Sequence, residues 1–171
     1  MKVSVIAVAS PFLTAASASA QGVTDAQMAA IVVTANQVDI DAGHWGEFKA
    51  TQPEVAKFGQ QRGADHTGVN SQATALVTNL KVTQERTPTG QSLKSGGDNN
   101  IANPNGVTGA AFDKAYIDHE VTSHQAVIDA IDKTLIPSAT NAQVKALLVT
   151  VRPACVAHME HAEMIQSSLA R

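Results

Sequence analysis

Four stretches of this sequence set apolar residues at helical spacing, and no stretch alternates as a strand would. That pattern restricts the fold to long helices, because stripes of this kind bury themselves only against one another. The spacing predicts helices over about 25–49, 53–82, 110–135 and 141–169. Three of them begin with a T-x-x-[EQ] box, at Thr24–Gln27, Thr51–Glu54 and Thr140–Gln143. In such a box the threonine oxygen and the Glu/Gln side chain pair with N–H groups that a first turn leaves free. Residues 86–109 are rich in Gly, Asn, Pro, Ser and Thr and read as one long connection inside a domain. The expected architecture is all-α: an antiparallel four-helix bundle, ferritin-like in connectivity, with the long connection between its second and third helices.

At ~100° per residue the inward face of each helix can be followed by counting. The first carries Met28, Val32, Ala35, Asp39, Ala42 and Gly46, and the second Val55, Phe58, Arg62, His66, Val69 and Ala73. The third carries Tyr116, Glu120, His124, Val127 and Ile131, and the fourth Val151, Cys155, His158, Ala162 and Ile165. Each stripe is apolar except near one level, so the polar positions are expected to form a single layer. Buried polar groups are costly without partners. Convergence from four helices therefore points to a built site.

Six residues make up the candidate ligand set: Asp39, His66, Glu120, His124, His158 and His161. His44 and His119 fall off the stripes and read as solvated. Di-iron bundles place an E-x-x-H pair on each of two helices, and those pairs are missing here. The set is richer in imidazole than in carboxylate and suits one zinc, copper, iron or nickel ion. Pro153 is expected to interrupt the fourth helix one turn before His158.

The chain has 171 residues, enough for one domain with a core, and its 44% apolar and 16% charged content excludes a disordered or fibrous class. Residues 1–20 read as a secretory leader: Lys2, an apolar run from Val3 to Leu13, and Ala18-Ser19-Ala20 as the cleavage site. The mature domain would span 21–171 and work in the periplasm or outside the cell. Loss of Lys2 with the leader leaves eleven basic against 15 acidic residues, a net charge of −4. That balance gives no case for nucleic acid, and no mature segment is apolar enough to span a membrane. The lone Cys155 has no internal disulfide partner and falls on a core stripe.

Three runs carry a family resemblance. PEVAKFGQQRGADHT, TGAAFDKAYIDHEVTSHQ and RPACVAHMEHAEMI resemble, in order and spacing, the second, third and final helices of a bacterial ferritin-like family. It is a domain of unknown function, numbered forty-one forty-two. The resemblance covers about 24–169. It implies an exported four-helix bundle, often described as a membrane or outer-membrane protein, and no established reaction. His66, His124 and His158 match the family's recurring histidines, and Asp39 an acidic position. Arg62 stands where the family usually has an apolar residue.

Two functions compete at this stage. One is a metal site in the core. The other is a buried polar network in which His, Asp, Glu and Tyr116 satisfy one another and fix the helix register. Arg62 favours the network, since a guanidinium would repel a cation and pair with Asp39 or Glu120. The protein would then be a periplasmic interaction or stress-related module, meeting a protein partner through its surface or long loop. No nucleophile elbow, phosphate loop or Ser-His-Asp order marks an enzyme.

Overall fold

The structure, a computed structural model, describes residues 23–81, 91, 94, 95 and 107–171. The leader expected over 1–20 and most of the connection expected over 86–109 lie outside the described residues. Among those described there are four long helices and no strand: α1 (Asp25–Lys49), α2 (Pro53–Asn79), α3 (Ala110–Ala130) and α4 (Ala142–Leu169). No helix is long and apolar enough to cross a membrane, among the described residues.

Only one of the three expected capping boxes forms. Thr24 accepts from the Gln27 N–H at 3.2 Å, while the Gln27 side chain accepts from the Thr24 N–H at 3.0 Å. At α2 the cap is Gln52, with no side-chain bond, and at α4 it is Asn141, whose side chain accepts from Gln143 and Val144. The two threonines are used elsewhere, by matching clasps. Asp113, in the first turn of α3, accepts from the Thr51 N–H and hydroxyl and the Gln52 N–H. Asp25, opening α1, accepts the same three bonds from Thr140 and Asn141. Each clasp ties the start of one helix to the junction before another, α3 to α2 and α1 to α4. A remote carboxylate wins over the local box because it satisfies three donors at once with a charge.

The end of α3 also departs from expectation. Beyond Ala130 the chain widens into a π turn, Ile131–Leu135, before the short turn Ile136–Ser138. In an α-helix the Pro137 ring would strike the Lys133 carbonyl, and the wider turn relieves that contact. Pro153, by contrast, does not break α4, which is continuous through it. Pro153 and Val149 both lie on the exposed face, where water can satisfy the carbonyl left without an N–H donor. Gly109 precedes α3 with φ +64, a conformation that favours glycine.

Two apolar clusters share the interior. One joins Met28 and Val32 of α1, Ala73 and Val77 of α2, Ile128 of α3, and Val144 to Cys155 of α4. The second joins Val55 and Phe58 of α2, Phe112 to Ile117 of α3, and Ala162 and Ile165 of α4, with Trp45 of α1 against it. Apart from Asp113 in the clasp at the start of α3, the buried polar residues fall between the two: Asn36 on α1, Arg62 and His66 on α2, Glu120 and His124 on α3, His158 on α4.

At that level α1 and α2 approach to backbone contact. A Cβ on Gly59 would stand 2.6 Å from the Glu47 nitrogen and 2.7 Å from the Gly43 oxygen, and one on Gly43 would meet Gly59 and Gly63 at 2.8 Å. Such closeness brings short side chains of α1 within reach of Arg62 and His66.

Candidate metal centre

The polar layer divides into an ion-pair half and an imidazole half. Arg62, 2% exposed, is the largest side chain sealed in the interior. Its Nη1 donates to Glu120 Oε1 at 2.5 Å and its Nη2 to Asp39. Burial opposes charge on Arg62, but Glu120 and Asp39 outweigh it and raise its pKa. Burial works against ionised Asp39 too, yet Arg62, His66 and His124 hold it below the usual carboxylate value. Burial pushes Glu120 up to about 8 against the pull of Arg62. Tyr116 lies alongside, raised by burial and then by Glu120, with its ring stacked on Phe112. A Cβ on Gly46 would overlap that ring.

The imidazole half holds His66, His124 and His158, with ring centroids 5.0 to 5.9 Å apart. Each ring spends one nitrogen on an acceptor. His66 Nδ1 faces Asn36 Oδ1 at 2.8 Å, with Asp39 Oδ2 at 3.5 Å. The Asn36 amide nitrogen donates to the Val32 carbonyl, which fixes the oxygen toward His66. His124 Nδ1 faces the Glu120 carbonyl at 3.0 Å, and His158 Nε2 faces Asp65 Oδ2 at 3.0 Å. All three partners accept, so these nitrogens carry the protons. The lone pairs are left on His66 Nε2, His124 Nε2 and His158 Nδ1, and all three atoms are buried without a hydrogen-bond partner.

Burial pushes His66 down to about 4, although Asp39 opposes it. Burial, reinforced by Arg62, pushes His124 down to about 3. Both rings are therefore neutral at pH 7, the form that ligates metal. One nitrogen from each ring lies within 4.8 Å of one from each of the others, a group that could hold a metal ion. Imidazoles around one tetrahedral zinc at 2.0–2.1 Å stand roughly 3.3 Å apart. Binding would draw the three nitrogens inward from within 4.8 Å of one another toward that spacing.

Of the six candidate ligands, the structure brings together His66, His124 and His158. Asp39 and Glu120 adjoin the cluster, but each is engaged by Arg62. His161 is turned to the edge of the Phe58 ring, 5.3 Å between centroids. His44 is exposed, whereas His119, expected in solvent, is half-buried and lowered by burial. Sequence reasoning missed Asn36 and Asp65, the partners that orient His66 and His158. Asn36 had a signal, as an amide inside an Ala- and Val-rich helix; Asp65 had none beyond its place before His66.

Neither the curated proteins nor the solved structures yield a match. The family comparison does, over residues 10–165, and the chain accordingly belongs to the family described as a domain of unknown function, DUF4142.

Proposed function

We propose that the protein is an exported ferritin-like bundle that binds one transition-metal ion in its core through His66, His124 and His158. One observation carries the reading: three buried imidazoles from three helices each have one nitrogen anchored and the other unpaired. Metal-bound histidines are held in this way, with the far nitrogen donating to a carboxylate, amide or carbonyl that fixes the tautomer. Three imidazole nitrogen donors with no carboxylate free to join them favour a single zinc, copper or nickel ion over paired iron.

The bundle itself is supported by which helix ends meet. The start of α1 and the start of α4 share one apolar cluster with the ends of α2 and α3. In this reading α1 and α4 run one way and α2 and α3 the other, so α2 and α3 need the long connection that the chain supplies between residues 81 and 107. Export to the periplasm rests on the leader read over residues 1–20.

The alternative, a purely structural network, is favoured by Arg62, which satisfies Asp39 and Glu120 together. It leaves the three inner imidazole nitrogens unexplained, since a network made for stability would pair them. Calorimetric titration of metal-free protein with zinc separates the two. Saturation is expected at one ion per chain, with binding lost in His66→Ala, His124→Ala and His158→Ala and kept in His44→Ala and His161→Ala. Wild-type protein without saturable binding would leave the network reading standing.

A further inference from the structure

We infer that the ion reaches the cluster between α2 and α4, captured first by the Asp65 carboxylate and passed to His158; this rests on the metal-site reading above. The three anchors of the imidazoles differ sharply in exposure. Asn36 is 3% exposed and Glu120, whose carbonyl holds His124, is fully buried. The Asp65 side chain is 46% exposed. His158 joins this surface acid to the interior, with Nε2 on Asp65 and Nδ1 buried and unpaired.

The rival approach runs past Asp39, whose side chain is 18% exposed. There the carboxylate is already held by Arg62, and an incoming cation would pass the guanidinium at close range. That carboxylate is already compensated by its partner and has no spare charge to draw a cation in. The side of Asp65 presents a carboxylate whose bond, among the described residues, is to the His158 ring and not to a guanidinium. A carboxylate at the mouth of a site raises local cation concentration and the capture rate. It also offers a departing ion its first oxygen ligand, so the same residue speeds release.

Asp65→Asn isolates this role, because the amide oxygen still accepts from His158 Nε2–H while the charge is gone. The experiment mixes metal-free protein with zinc and follows loading by competition with a chromogenic chelator; release follows addition of excess EDTA. Asp65→Asn is expected to keep one zinc per chain and to load about tenfold more slowly. Release should slow by a similar factor, and Asp65→Glu should restore both rates. Asp129→Asn, a half-exposed acid on α3 paired with Lys133, should load at the wild-type rate. Faster release with unchanged loading would make Asp65 an orienting residue only and overturn the inference, as would wild-type rates in both directions. Equal slowing in Asp129→Asn would reduce the effect to overall charge and overturn it too. Wild-type protein that takes up no zinc would remove the metal site itself, a failure distinct from that of the route.

Discussion

Arg62 decides how the layer is read residue by residue. A lone guanidinium beside three imidazoles would argue against a cation, but this one is ion-paired with Asp39 and hydrogen-bonded to Glu120, and so carries little net field. Removing it should be costly. Arg62→Met leaves Glu120 buried without its donor and frees Asp39, and is expected to destabilise the metal-free protein by about 3 kcal/mol in urea denaturation. A loss under about 1 kcal/mol would mean the pairs are replaceable. The histidines of the cluster were legible in the sequence, because each interrupts an otherwise apolar stripe. Asn36 stood out as an amide but not as a buried one, because the buried line of α1 runs through Ala29, Asn36 and Gly43, one residue away from the counted line through Ala35. In a helix this rich in Ala and Val both lines are apolar, and only the partner helix decides between them. Asp65 is half exposed and reads in sequence as a solvated acid.

The elements owe their placement to features of different visibility. Helix extents followed from periodicity to within a few residues. The clasps did not, since Thr51–Asp113 and Thr140–Asp25 are contacts between distant segments. Both clasps make three bonds, but Asp113 is fully buried while the Asp25 bonds are largely exposed. Asp113→Ala should therefore cost about 2–4 kcal/mol, and more than Asp25→Ala, where water replaces the lost partner. Equal losses, measured by thermal denaturation, would contradict that ranking. The close crossing of α1 on α2 is equally specific. Gly59→Ala forces a methyl into the backbone of Glu47 and Gly43, which cannot swing aside as a side chain can. A loss of about 1–3 kcal/mol is expected, with weakened zinc binding because Asn36 and His66 move apart. Unchanged stability would show that the helices separate freely.

Taken whole, the molecule places one polar layer between two apolar clusters, and its stability should report that layer through pH. His66 and His124 have folded values near 4 and 3, below the ordinary 6.5. The unfolded chain thus binds more protons as pH falls below about 6.5, and stability is lost progressively toward pH 3. Asp39, lowered in the fold, adds loss on the acid side below its ordinary value. Glu120 acts in the opposite sense: it keeps its proton in the fold up to about 8, so stability falls as pH rises from 4.5 through 8. Melting temperatures of the metal-free protein should peak near pH 6–7 and decline on both sides; a flat profile would contradict the burial of these groups. Bound metal should raise the peak. The central claim is tested most directly by elemental analysis of untagged protein isolated from cells grown with zinc, copper, iron and nickel. The expected result is close to one ion per chain, absent from His66→Ala and His158→Ala, whereas wild-type protein with no metal above background would contradict the account.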